Sequence, residues 1–351
     1  MRPRTRPRLR LPRLSPIRWV VVAAIALFIL ALPTAYIMYR LDLRPVSATG
    51  QPQDFIVSSG ENAPKIAGRL KDHALIRDRN AFITYVNLHG LRPRLQAGTY
   101  QLSPTDSAAT IAEELAGGKT VSRRFVVPEG YTIHQIEAEA ASIGMDSAAF
   151  KAALAAPHSQ AFLSGKPAGV DLEGYLFPDS YQISPSTTPD QLVNAMLNNF
   201  GKRVGPEYVQ AFSQEGLTLH QGLTVASIVE REVNIAADRP IVAQIFLKRL
   251  KTGMPLGSSV TACYAYLLQS GITTCNENSV ANIQSPYNTL INTGLPPGPI
   301  SSPGLSSLDA VAHPASTDYL YFITDKNHID RFAHTYAEHE ANIAKYGLVG
   351  S

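Results

Sequence analysis

Glu173 stands in the run Asp171-Leu-Glu-Gly-Tyr-Leu-Phe-Pro-Asp-Ser-Tyr181, one carboxylic acid set among apolar and aromatic residues and followed by a glycine. Burial disfavours the charged form of a carboxyl, so an acid in such surroundings keeps its proton near neutral pH. A proton-bearing carboxyl beside stacking rings has the chemistry of a general acid, suited to protonating the oxygen of a glycosidic bond. If the segment is extended, Asp171, Glu173 and Tyr175 share one face. The like charge of Asp171 then raises the Glu173 pKa further, and Gly174 lets a bulky sugar approach the backbone. From residue types alone, an exposed glutamate on a surface strand is the competing reading.

A second constellation lies in the Pro-, Gly- and Asn-rich stretch from Asn276 to Pro303, a long irregular segment of the kind that carries function in compact domains. Within it, Ser285-Pro-Tyr-Asn-Thr289 and Gly294-Leu-Pro-Pro-Gly-Pro-Ile300 present Tyr and Asn side chains able to hydrogen-bond sugar hydroxyls and N-acetyl groups. The alternative is a structural loop stiffened by its prolines. Glu230 and Glu232, two apart on an expected helix, face different ways, so at most one points into a cleft. Cys263 and Cys275 are the only cysteines. In an extracytoplasmic compartment a disulfide would close this short loop, and two separate small buried residues are the alternative.

Other chemistries find no support. Gly118-Lys119-Thr120 resembles the end of a phosphate-binding loop, but Glu113 stands where its first glycine belongs. His313, His328, His334 and His339 are too scattered for a metal site. No Gly-x-Ser-x-Gly elbow occurs. The sequence therefore supports neither a metal site, a phosphate-binding loop nor a serine hydrolase.

The elements that must position these residues follow from periodicity. Phe55–Val57 reads as a strand, then a turn and a helix with Ile66, Ala67 and Leu70 on one face. A helix over 78–88, a strand over 95–102 and a helix over 107–115 ended by Gly117-Gly118 follow. Arg124–Val127, a glycine turn and a helix over 133–141 repeat the opening pattern. Such a module binds glycans or is ordinary α/β packing. Beyond Val170, helices are expected over 224–235 and from Asp238, with Pro240 in its first turn, Gly253 after its end, and a stripe of Val242, Ile245, Phe246 and Leu250. A strand over 319–323 and a helix over 335–345 close the chain. The fold class is α+β.

At 351 residues, 45% hydrophobic and 17% charged, the chain has the composition of a globular protein with two or three domains. Its net charge of +3 misleads, because seven arginines crowd the first 18 residues. Without them, 24 basic residues face 28 acidic ones, a balance of −4 that gives the folded part no pull toward nucleic acid. The run Trp19–Tyr39 carries no charge and is long enough to span a bilayer. The arginines before it place the N-terminus in the cytoplasm and the rest outside, on a single-pass plasma-membrane anchor. A cleaved signal peptide is disfavoured by the length of the apolar run and the lack of an Ala-x-Ala site. The organisation is a basic tail over 1–18, a membrane helix over 19–39, a linker over 40–53, a small module over 54–122 and a main domain over 123–348.

Six motifs occur in series: Val127-Pro-Glu-Gly-Tyr-Thr132, Leu172-Glu-Gly-Tyr-Leu-Phe-Pro-Asp-Ser-Tyr181, Ala226-Ser-Ile-Val-Glu-Arg-Glu232, Ser285-Pro-Tyr-Asn-Thr289, Gly294-Leu-Pro-Pro-Gly-Pro-Ile300 and Tyr319-Leu-Tyr-Phe322. Together they resemble the bacterial endolytic murein transglycosylases of the MltG (YceG-like) family over nearly everything after residue 50. The resemblance implies a LysM-like module and an extracytoplasmic catalytic domain. It implies lytic cleavage of the β-1,4 bond between N-acetylmuramic acid and N-acetylglucosamine in nascent peptidoglycan, with no cofactor and with peptidoglycan synthases as partners. It assigns catalysis to Glu173 and substrate contacts to Tyr175, Phe177, Asp179, Glu230, Ser285, Tyr287, Asn288 and Thr289. It breaks at Gly257-Ser-Ser-Val-Thr261, where the family commonly has Gln-Ser-Asp-Pro-Thr: an acid is lost at Ser259 and a proline at Val260. Phe246-Leu-Lys-Arg-Leu250 also departs from the usual Phe-Tyr-Asn-Arg-Leu.

Overall fold

A computed structural model describes residues 16–347. The basic tail expected over 1–18 lies, up to residue 15, outside the described residues, as does the last residue of the main domain. The described chain divides after Ser122. One unit holds everything before that point plus Ser184–Ser186, and the other holds Arg123–Ile183 and the chain from Thr187 onward.

The first unit begins with helix α1 (Pro16–Asp42), longer at both ends than the expected span and carrying Pro33 inside it. Its stretch Val20–Asp42 has the length and composition to cross a membrane, with none of its most apolar window buried in protein. At 27 residues it reaches about 40 Å, against roughly 30 Å of hydrocarbon. Next come β1 (Gln53–Val57), α2 (Ala63–Asp72), α3 (Arg79–Leu88), β2 (Gly98–Leu102) and α4 (Ala108–Gly117). Strand β2 starts at Gly98, later than the expected residue 95, and Arg92–Arg94 before it forms a tight 3-10 turn. The two strands pair antiparallel, Phe55 opposite Tyr100. Asn62, Asp78 and Ser107 cap the three helices through their side chains. The apolar faces close over Phe55, Ile66, Leu70, Phe82, Tyr100 and Ile111.

The second unit opens with the same β-α-α-β-α order: β3 (Arg123–Val126), α5 (Ile133–Ser142), α6 (Ser147–Ala155), β4 (Ser180–Ile183) and α7 (Pro189–Arg203). Strands β3 and β4 again pair antiparallel, Phe125 opposite Tyr181. The repeat glimpsed at Phe55 and Phe125 therefore extends over five elements. The long α6–β4 connection, absent from the first copy, carries Glu173.

A helical layer completes the unit: α8 (Pro206–Gln214), α9 (Leu219–Glu232), α10 (Arg239–Lys251), α11 (Ser259–Ser270), the short α12 (Glu277–Val280) and α13 (Leu305–Ala312). A hairpin of β5 (Tyr321–Thr324) and β6 (Asp330–Ala333) precedes α14 (Tyr336–Tyr346). Helix α9 starts five residues before the expected 224 because Thr218 and Gln221 form a capping box. It is the axis of the layer: every residue from Gly222 to Val229 is buried, against α8, α10, α11 and α13. Gly222 lets α8 come close, since a Cβ there would sit 2.4 Å from the Phe212 ring. In α10, Val242, Ile245 and Phe246 of the expected stripe are buried and Leu250 packs at the edge.

Glu230 fixes three of these helices at once. Its Oε1 accepts from Arg239 of α10 at 2.9 Å, and its Oε2 accepts from the Gly304 N–H at 2.9 Å and the Ser307 hydroxyl at 2.8 Å, at the start of α13. The Glu230 and Arg239 side chains are 6% and 11% exposed, so removing one strands the other in low dielectric. Glu230→Ala should lower the unfolding free energy by about 3–5 kcal/mol in chemical denaturation. The Glu230→Ala/Arg239→Ala pair should cost clearly less than the sum of the two single changes.

Candidate active site

Glu173 is 2% exposed. Its surroundings are not the strand expected from the sequence but a turn: the Asp171 carboxylate accepts the Glu173 N–H at 3.0 Å and the Tyr175 N–H bonds back to the Leu172 carbonyl at 2.9 Å. Asp171, Glu173 and Tyr175 therefore do not share one face. Gly174 serves this turn rather than the approach of a sugar. Its φ is +83°, and a Cβ would lie 2.6 Å from the Pro299 side chain.

Two donors from other elements reach the carboxyl. The first comes from the start of α5. There Thr132 and Gln135 form a capping box, each side chain satisfying the other's backbone N–H. The box leaves the first helical N–H, that of Ile133, without an intrahelical partner. Glu173 takes it, with Oε1 at 3.1 Å and Oε2 at 3.0 Å. The second donor is the buried hydroxyl of Tyr264 on α11, 3.0 Å from Oε2. Burial is the dominant influence and pushes the Glu173 pKa up to about 8; the charge of Asp171 pushes the same way, while the Ile133, Tyr264 and Gly174 donors pull against it. The acid is thus protonated at neutral pH, with donors already placed for the carboxylate that forms once the proton leaves.

Tyr287 completes this cluster. It is half-buried, its ring meets Tyr264 edge-on at 5.0 Å, and burial together with the charges of Asp171 and Glu173 pushes its hydroxyl pKa up to about 12. Two cavities adjoin the cluster. One of about 580 Å³ is lined by Ile133, Asp171 and Leu172; one of about 180 Å³ is lined by Thr132, Arg231 and Tyr264. Cys263 and Cys275, which also line the smaller cavity, are disulfide-bonded with Cα atoms 5.6 Å apart. The bridge fastens α11, one residue before Tyr264, to the loop after Gly271. Val260, at the position of the family's usual proline, faces the same cavity.

The remaining expected contact residues sit elsewhere, as supports. Tyr175 is fully buried, and its hydroxyl lies 3.0 Å from His220 Nδ1, whose other ring nitrogen meets the Pro297 carbonyl at 3.0 Å. Phe177 is a core residue under Arg203. Asp179 accepts from Asn199 at 2.9 Å and from the Ser180 N–H at 2.7 Å, which with Arg203 hold its pKa low. Asn288, fully buried, donates to the Ala281 and Ile283 carbonyls at 2.9 Å. Thr289 exchanges hydrogen bonds with Thr261 and Ser258, tying its loop to the start of α11. Ser285 caps the turn at Tyr287 through a 3.2 Å bond. Glu230 belongs to the helix knot already described, and Glu232 accepts from the Ser258 hydroxyl. Tyr175, Phe177, Asn288 and Thr289 are buried, whereas Asp179 and Ser285 keep part of their surface exposed.

The residue that sequence reasoning missed is Tyr264. It lies on α11, an element not anticipated because it begins without a side-chain cap. Among the described residues, no cluster of three or more His, Cys, Asp or Glu side chains has the arrangement to hold a metal ion.

Two pH effects follow. Burial pushes the Glu173 pKa from the ordinary 4.5 of the unfolded chain up to about 8, so the folded state holds a proton that the unfolded chain sheds. Its contribution is complete below about 4.5 and is lost as the pH rises toward 8. Thermal unfolding should therefore find Glu173→Gln increasingly more stable than the parent across that window. Tyr264→Phe removes a donor to the carboxylate, so the Glu173 pKa should rise further, read as an upward shift of the alkaline limb in a pH–rate profile or by NMR titration of the carboxyl.

The sequence pattern of the YceG-like family matches residues 55–345. Proteins named endolytic murein transglycosylase are similar to this chain. One from Streptococcus pneumoniae is 31% identical over 341 residues, covering 88% of this chain. One from Bacillus subtilis is 33% identical over 307 residues, covering 83% of each protein. The chain spans 61% of the length of the pneumococcal relative. The 2.6 Å crystal structure of a YceG-like protein from Listeria monocytogenes superposes with a TM-score of 0.55 at 29% identity, covering 84% of this chain and 99% of that one. With the match spanning the capped helix start, the buried glutamate turn and the Tyr264 helix, the chain belongs to the YceG-like family.

Proposed function

We propose that the protein is a membrane-anchored endolytic peptidoglycan lytic transglycosylase. The observation that carries the reading is the buried, protonated Glu173 with two donors fixed on its carboxyl. Protonated Glu173 gives its proton to the glycosidic oxygen between N-acetylmuramic acid and N-acetylglucosamine. Positive charge develops on the muramyl ring, where the substrate's own N-acetyl group stabilises it. The carboxylate, received by the Ile133 N–H and the Tyr264 hydroxyl, then takes the proton of the muramyl 6-hydroxyl as that oxygen closes on the anomeric carbon. The product is a 1,6-anhydro sugar, and no water is consumed. One carboxyl serves as acid and then base, where hydrolysis uses a pair. Tyr287 contacts the sugar, while Tyr175, Phe177, Asp179, Glu230, Ser285, Asn288 and Thr289 act through the loops they hold.

Helix α1 is the anchor, its N-terminus cytoplasmic by the preceding arginines and the catalytic unit extracytoplasmic. The disulfide suits that compartment. The first unit acts as a LysM-like glycan-binding module, and cleavage ends strands under extension by peptidoglycan synthases.

The test is product analysis. Mass spectrometry of strands digested by the purified chain should find 1,6-anhydro ends. Reducing ends would instead indicate a hydrolase, and binding without release a scaffold. Glu173→Gln keeps the shape and removes the titratable proton; it should lower the cleavage rate by about 10²-fold or more with the fold intact.

A further inference from the structure

The two cavities beside Glu173 differ in size and chemistry. The carboxyl is bonded to Ile133 of the 580 Å³ cavity and to Tyr264 of the 180 Å³ cavity, so it meets a wall of each. A glycan strand whose scissile oxygen lies at Glu173 can then extend one sugar toward each cavity. The smaller cavity falls below the roughly 300–1,000 Å³ of ordinary ligand sites and suits a single unsubstituted ring; the larger lies within that range.

The larger cavity also carries groups that a bare sugar does not need. Lys151 and Lys166 line it, as do Leu154, Ala155 and Pro157. Lys151 pairs with Glu137 at 3.3 Å while 68% exposed. The Lys166 ammonium donates to the Val170 carbonyl, and no carboxylate pairs with it among the described residues. The other acid of the lining, Asp171, accepts the Glu173 N–H. His158 also lines the cavity, and its Nε2 is buried without a hydrogen-bond partner. Free cation, orphan ring nitrogen and small apolar floor together match a short peptide with carboxylates and methyl side chains.

We propose, building on the transglycosylase reading, that this cavity binds the peptide attached to the muramyl lactyl group. It thereby sets the direction of the strand, with the muramyl ring on the Ile133 side and the glucosamine ring on the Tyr264 side. The cavity makes the enzyme selective for strands that still bear their peptides.

The experiment compares kcat/KM of the full chain in detergent on two substrates: glycan strands with peptides intact, and the same strands stripped by an amidase. The parent should favour intact strands by about tenfold, the worth of a charge-assisted contact. Lys166→Gln should bring the ratio toward one. So should Ala155→Trp, which fills the cavity from an exposed position at the end of α6. A parent that cleaves both substrates equally, or a ratio unmoved by both substitutions, overturns this inference and leaves the parent reading standing. Cleavage of neither substrate by the parent overturns both.

Discussion

The first N–H of helix α5 is the point on which the site turns. A helix start leaves four such groups without partners. Here the reciprocal bonds of Thr132 and Gln135 deal with their neighbours and leave that of Ile133 free. It lies in the positive end of the helix dipole, where a carboxylate is favoured. Without such a group, a glutamate buried as deeply as Glu173 would hold its proton too tightly to give it away. Too many donors would leave it ionised at rest, with no proton to give and little basicity. One helix N–H and one phenol hydroxyl leave it between these limits, protonated at rest and tolerated as an anion.

The cost of this arrangement is met by scaffolding. Residues that look like binding groups in the sequence are anchors in the structure. The Tyr175–His220–Pro297 chain secures the loop facing the Glu173 turn. Thr289 and Thr261 secure the loop that carries Tyr287. Aromatic and polar side chains in such roles satisfy buried backbone groups that would otherwise be left bare.

Much of this was legible beforehand. The apolar setting of Glu173 gave its burial and protonation, and the stripe of α10 gave its inward face. The turn at Gly174 was not legible, because alternation along Asp171–Tyr175 is shared by strands and by tight turns whose side chains happen to alternate. Nor was Tyr264: its pairing with Glu173 spans 91 residues and follows from packing on α9, which no local period encodes. Helix α7 was within reach, since Thr188-Pro-Asp-Gln191 spells out a capping box. The division between lining and support was out of reach, because Tyr, Asn and Thr serve both, and only burial separates them.

Helix α9 gives the second unit an unusual mechanical character. His220 at one end leads to Tyr175, two residues from the acid, Ser227 receives the Ile300 N–H at 3.0 Å, and Glu232 at the other end reaches Ser258, which precedes the Tyr264 helix. Acid and phenol are thus hung from a common beam. Thermal displacement of that beam carries both passengers together, and their separation survives motions that would misalign partners mounted on independent supports.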